Sequence, residues 1–317
     1  MLAVAVATVA GAAAGINQLN YTERQLLFRV TPGVASWYAG LPEGVQESYL
    51  PVEGEDGRAQ RFKTWWWPAD HADAPTILYL HGAKYNLTGQ TFRIEQLRNF
   101  GFSVLAIDYR GFGDLDTDLP SEASVYEDAQ IAWKRLVELQ PDPKRRYIYG
   151  HSLGGAVAID LAARLANDRH QAAHGLIVES SFTNLSDIAK VFTLSWMPMQ
   201  LLLKQKFDSV TKIAEVSIPV LVVHGIDDRY VPARFSQRLF AAIPGNNKQL
   251  LLVEGANHNN SMRGVRHDTG RRCRSCSAGP PTVRDRYLLI ASCSSACFYR
   301  PEYLRSLRPV NSGGRGA

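Results

Sequence analysis

"RRYIYGHSLGGAVAIDLAARL", residues 145–165, decides how the rest of the chain is read. It opens as a short β-rich apolar run and continues as a helical one. Between the two, Ser152 stands in a G-x-S-x-G pattern with Gly150 and Gly154, and Gly155 comes next. A serine on a tight strand-to-helix turn is the setting of a nucleophile elbow. Side chains two residues to either side would collide in such a turn, so glycine is required there. The turn would aim the Ser152 hydroxyl outward and leave the N–H of Leu153 facing a reacting carbonyl. The plainer alternative is a glycine-rich corner with no chemistry. Two other glycine loops are excluded: the Gly-Lys-Ser/Thr ending of a phosphate loop is absent, and so is a G-x-G-x-x-G fingerprint.

The pattern repeats outward from this stretch. Nearly continuous apolar runs occur at 76–82, 101–111, 145–152, 175–181, 218–225 and 248–255. Helical patterns at 89–100, 122–140, 153–168 and 233–243 alternate with them. Runs apolar on both faces suit parallel strands covered by helices. Two earlier segments, 47–54 and 60–69, flank an Asp-Gly turn signal and read as an antiparallel hairpin. The expected fold class is therefore α/β: a mostly parallel eight-stranded sheet with helices on both faces. Ser121 and Ser124 mark a capped start for the helix at 122–140. The interval of about 182–217 is longer than a simple crossover. It reads either as one crossover helix with a loop or as a short lid whose Trp196, Met197 and Met199 line a substrate entrance.

A serine hydroxyl needs a base to become a nucleophile. Asp227 and Asp228 lie just beyond the run at 218–225, and His258 lies just beyond the run at 248–255. The order Ser152, Asp228, His258 fits a Ser-acid-His relay, and all three fall at the C-terminal ends of strands, where open α/β sheets place their sites. The other histidines read as structural or solvent-facing. His81 and His224 end strands in "HG", and His151 points away from Ser152 by strand alternation. His71, His170 and His174 read as facing solvent. "TWWWP" at 64–68 reads as a strand and its packing surface. No cofactor or metal is implied in the body.

Six pieces together resemble the α/β-hydrolase superfamily of serine hydrolases, near the Bem46-like and serine aminopeptidase S33-like group. They are "LYLHGAKYN" (78–86), "GFSVLAIDYRGFG" (101–113), "GHSLGG" (150–155), "ESSFTN" (179–184), "HGIDDRYVP" (224–232) and "GANHNN" (255–260). The resemblance covers about 17–264. It implies Ser152 as nucleophile, His258 as general base and Asp228 as acid, because the family spacing H-G-x-x-D-x-x-V-P fixes the register. Glu179 is the fallback acid position. The second oxyanion donor is expected at the N–H of Ala83, paired with that of Leu153. Lys84 and Tyr85 depart from the small residues common in that loop and either shape an acyl pocket or face solvent. The implied reaction is cleavage of an ester, thioester or amide in a small-molecule or lipid-like acyl substrate. The alternatives are an idle binding protein of the same fold and a product impaired by its C-terminal tail.

Charge and cysteine divide the chain. Residues 265–317 hold ten Arg, no Lys and three acids, a net of +7, and all four cysteines. The other residues carry 25 basic and 27 acidic side chains, a net of −2, which excludes nucleic acid as a partner of the body by charge. The tail reads as an atypical, unstructured extension in place of a closing helix, with a basic appendage or a zinc site at "CRSC" and "CSSAC" as lesser readings. At the other end, residues 1–16 carry no charge. They read as a membrane anchor, a weak signal peptide or a helix packed on the body, so the expected location is membrane-associated, with cytoplasmic as the alternative.

Overall fold

The computed structural model describes residues 15–262, except 16, 55–56, 113–118, 167, 169, 194–195 and 197. The segment 1–14, where the anchor, signal and packed-helix readings fall, lies outside the described residues, as does the whole tail at 265–317 with its cysteine pairs. Among the described residues, no helix is long and apolar enough to cross a membrane.

Eight strands form one sheet: β1 (Gln46–Glu53), β2 (Ala59–Trp67), β3 (Thr76–Leu80), β4 (Ser103–Ile107), β5 (Arg146–His151), β6 (Gly175–Glu179), β7 (Val220–Gly225) and β8 (Lys248–Val253). Their spatial order is β1-β2-β4-β3-β5-β6-β7-β8. The hairpin of β1 and β2 is antiparallel, β2 pairs β4 antiparallel, and every later pair is parallel. The change of direction about β3 brings the C-terminal ends of β3, β5, β7 and β8 to one edge, where an open α/β sheet places its site.

The helices are α1 (residues 17–28), α2 (Thr91–Asn99), α3 (Glu122–Leu139), α4 (Leu153–Leu165), α5 (Leu185–Phe192), α6 (Met199–Leu202), α7 (Ser209–Lys212) and α8 (Arg234–Ala242). Strand alternation splits the apolar side chains into two layers. Leu78, Leu80, Ile148 and Val178 face α3 and α4, while Ile77, Tyr79, Tyr147 and Tyr149 face α2 and Met262. All residues of β3 to β7 are buried, as strands covered on both faces must be. The six residues of β8, at the sheet edge, are all partly exposed.

Ser121 caps α3 as its sequence suggests. Its Oγ accepts from the Ser124 N–H at 3.1 Å, and its own N–H donates to Ser124 Oγ at 2.8 Å. The interval after β6 is neither one crossover helix nor a simple loop. It is broken into α5, α6, α7 and a 3-10 turn at Ile213–Glu215. Its later part is core, with Phe207, Ile213 and Val216 buried, while Phe192, Trp196, Leu201 and Leu202 stand exposed.

Candidate active site

Ser152 occupies the turn between β5 and α4 at φ 57° and ψ −119°, a left-handed conformation that a non-glycine residue adopts only under strain. The glycines explain how the turn closes. A Cβ on Gly150 would be driven into the carbonyl of Gly154, and one on Gly154 into the carbonyl of Leu80 at the end of β3. The turn is also tied from β6, since the Ser152 N–H donates to Glu179 O at 2.9 Å and Ser181 Oγ donates to Ser152 O at 2.9 Å. The N-terminus of α4 starts at the next residue and aims its positive dipole end at the serine.

Asp228 and His258 come to the same point. His258 Nε2 lies 3.0 Å from Ser152 Oγ, and its Nδ1 lies 2.7 Å from Asp228 Oδ2. The carboxylate can only accept, so Nδ1 carries the proton and Nε2 presents its lone pair to the serine hydroxyl. The Asp228 carboxylate is fully buried, and its other oxygen accepts from the N–H groups of Tyr230 and Val231, both at 2.9 Å. Burial pushes its pKa up, but hydrogen bonds from His224 and His258 win and hold the carboxyl well below the usual range. His224 is the local structural residue that its place at a strand end suggests, with one addition. Its Nδ1 faces Ser236 Oγ at 2.6 Å and its Nε2 lies 2.7 Å from Val231 O, and the same Nε2 reaches Asp228 Oδ2 at 3.2 Å.

Gly82 lets the loop after β3 come against the serine: a Cβ there would stand 3.1 Å from that of Ser152. Ala83 is the next residue, and among the described residues neither the Ala83 nor the Leu153 N–H has an acceptor. The loop is braced on both sides. His81 Nδ1 lies 2.6 Å from Gly82 O, and burial pulls this imidazole down to about 4, so it is neutral and donates from Nδ1. Lys84, held at φ 88°, pairs by backbone with the end of α1: its N–H donates to Phe28 O at 2.8 Å and its carbonyl accepts from Thr31 N at 2.9 Å. The Lys84 ammonium is exposed and lies over the Tyr85 ring, which packs edge-on against Trp37.

The expectation that His151 points away from the site needs correction. Strand alternation does not take it out of the site, because His258 packs against it. The two rings lie 4.9 Å apart, and His151 Nε2 donates to the His258 carbonyl at 2.9 Å. Glu179, the fallback acid position, is completely buried and engaged elsewhere, with Arg93 Nε at 3.1 Å, the Tyr149 hydroxyl and Ser261 Oγ. His174 is half-buried edge-on to Tyr147 rather than solvent-facing. Arg93 carries no signal in the sequence, because a single arginine on an amphipathic helix normally faces solvent.

The sequence profile described as "Serine aminopeptidase, S33" matches residues 72–212. Rv2307c of Mycobacterium tuberculosis is 35% identical over 261 residues, spanning 80% of this chain and 87% of that one. The lysophosphatidylserine lipase ABHD12 of Danio rerio is 33% identical over 191 residues, 56% of this chain and 49% of that one, so the chain spans about half of that relative's length. Among solved structures, an alpha-beta hydrolase from Vibrio vulnificus superposes with a TM-score of 0.59 at 20% identity, covering 81% of this chain and 90% of that one. The Pyrococcus furiosus esterase Pf2001 superposes at 0.56 and 19%, covering 77% and 95%. The sheet order, the strand-end loops and these relatives agree: this chain belongs to the α/β-hydrolase superfamily, in its serine aminopeptidase S33-like group.

Proposed function

We propose that this chain is a serine hydrolase, Bem46-like in its motifs, that cleaves a carboxylic ester, thioester or amide through an acyl-enzyme on Ser152. The carrying observation is the unbroken relay from Asp228 Oδ2 through His258 to Ser152 Oγ, at 2.7 and 3.0 Å. His258 Nε2 takes the hydroxyl proton as Ser152 Oγ attacks the acyl carbon. The carbonyl oxygen becomes an oxyanion and accepts from the N–H groups of Ala83 and Leu153, each donor being worth about 3–4 kcal/mol in sites of this kind. His258 returns its proton to the leaving group. It then takes a proton from water as the water oxygen attacks the acyl carbon, and gives that proton to Ser152 Oγ as the bond to the acyl carbon breaks, releasing the acid and the free serine. Asp228 holds the imidazole in the tautomer that makes these transfers and stabilises its charged form without itself taking the proton.

Among the three carbonyl classes, a fatty acyl ester is the favoured substrate. The exposed Phe192, Trp196, Leu201 and Leu202 offer apolar surface on the segment between β6 and β7, which we assign as the lid, and one relative is named as a lysophosphatidylserine lipase. Residues 1–16, which carry no charged side chain, would hold the molecule at a membrane. The test pairs a fluorophosphonate probe with a panel of p-nitrophenyl esters and aminoacyl amides. The proposal expects labelling of the wild type and none of Ser152→Ala, with esters cleaved faster than amides. Equal labelling of both proteins, or none of the wild type, would leave an idle binding protein of the same fold as the better reading.

A further inference from the structure

The loop carrying His258 is gripped by buried polar side chains that the proposed reaction does not use. Arg93, on α2, is 3% exposed. Its Nε donates to Glu179 Oε2 at 3.1 Å, and its Nη2 reaches the main-chain oxygen of His258 at 3.5 Å. Glu179 ends β6, fully buried, and the hydroxyl of Tyr149 on β5 donates to the same carboxylate oxygen. The other oxygen accepts from Ser261 Oγ at 2.5 Å and from the Met262 N–H at 3.3 Å. Gln96, one turn along α2 from Arg93, donates to Met262 O at 3.1 Å. His151, on β5, donates to His258 O at 2.9 Å. Burial and the Arg93 charge hold the His151 imidazole well below its ordinary pKa, so it is a neutral donor.

A buried ion pair is a poor device for stability, because desolvating two charges roughly cancels their attraction. What it supplies is a fixed geometry. The loop's own bonds, such as Asn257 N to Asn260 Oδ1 at 2.7 Å and Asn259 N to Asn257 Oδ1 at 2.9 Å, set its local shape only. They leave open where the loop sits relative to Ser152. Bonds from the neighbouring elements bear on that: Arg93 and His151 meet the carbonyl of His258, the residue whose ring faces the serine, Glu179 and Gln96 hold Ser261 and Met262 just after it, and the Asp227 N–H beyond β7 donates to Ala256 O at 2.9 Å just before it.

We propose that Arg93, Glu179 and His151 are positioning residues: they fix the main chain at His258 and so direct its Nε2 at Ser152. This rests on the reading of Ser152 and His258 as the reacting pair. A misplacement of about 1 Å in such a pair costs on the order of 100-fold in rate.

The test uses the full chain carrying His151→Phe, His151→Gln, or Arg93→Met with Glu179→Gln. The last two changes are made together so that no charge is left buried alone. Hydrolysis of p-nitrophenyl butyrate, thermal unfolding and hydrogen exchange of segment 256–262 are measured. His151→Phe is expected to lower kcat about 10- to 100-fold with KM changed less than about twofold, and His151→Gln, whose amide reaches the same carbonyl, to recover most of the loss. The double variant should show the same kcat loss, with faster exchange in 256–262 while β3 to β7 stay protected. Three results would overturn the proposal: kcat within about twofold of wild type in His151→Phe and the double variant, no recovery with Gln, or exchange in 256–262 that is unchanged or rises only together with the sheet. If the wild type cleaves no ester, the functional reading fails, and the exchange measurement alone then decides whether the loop is clamped.

Discussion

At the scale of single residues, the proposed site rests on a few short contacts among Ser152, His258 and Asp228. Asp228→Asn keeps the size of the side chain but can donate to His258 Nδ1, which favours the wrong tautomer. Esterase kcat should fall by about 10⁴-fold with the fold intact, and a loss of less than tenfold would remove Asp228 from the relay. Gly154→Ala should cost about 2–4 kcal/mol, because its Cβ would enter the Leu80 carbonyl and neither backbone can retreat. Denaturant unfolding checks this, and a change below about 0.5 kcal/mol would mean that the turn relaxes. Ser152, Asp228 and His258 are legible because motif spacing and strand-end position are printed in the sequence. Arg93 and the contact of His151 with His258 are not, because each depends on which distant carbonyl a side chain meets after folding.

At the scale of elements, the eight strands and the helices at 91–99, 122–139, 153–165 and 234–242 arise from apolar runs and glycine punctuation. The α1 helix escapes a reading by pattern for a physical reason. Leu19 and Leu26 are exposed and only Phe28 is buried, so the helix shows no apolar stripe. Besides Phe28 and Leu27 at its end, it is held by polar bonds: Glu23 accepts from the N–H groups of Lys204 and Gln205 at 2.8 and 2.7 Å, and Arg24 Nε donates to Pro120 O at 2.8 Å. The α3 cap is readable, and it gives a prediction. Ser121→Ala removes the acceptor for the Ser124 N–H and should cost about 1 kcal/mol, seen as a melting temperature about 2–4 °C lower in a domain of this size.

At the scale of the whole molecule, stability should depend on acid in a set direction. Glu179 is held down at about 2 against an ordinary 4.5; burial alone would raise it, and the Arg93 charge, foremost among the groups around it, reverses that. A depressed carboxyl adds stability that is complete above its unfolded pKa and is lost as pH falls through its folded one. Unfolding free energy should therefore decline between about pH 4.5 and 2, and the decline should be shallower with Arg93→Met and Glu179→Gln together; an equal slope in both proteins would contradict this. The clamp also bears on the tail, read from its composition as an extension in place of a closing helix, a replacement that would leave the His258 loop without that cover. Among the described residues that loop is bonded to α2, β5, β6 and the turn after β7, so a chain cut after Gly264 should keep kcat within about twofold of the full chain; a tenfold loss would make residues 265–317 part of the support.

The central claim is a covalent one, an acyl group carried on Ser152. Rapid mixing with a p-nitrophenyl ester, then acid quench and mass spectrometry of the Ser152 peptide, tests it most directly. A burst of about one p-nitrophenol per chain and an acyl mass on that peptide are expected, both absent in Ser152→Ala. Turnover by Ser152→Ala at the wild-type rate, or an acyl group on another residue, would contradict it.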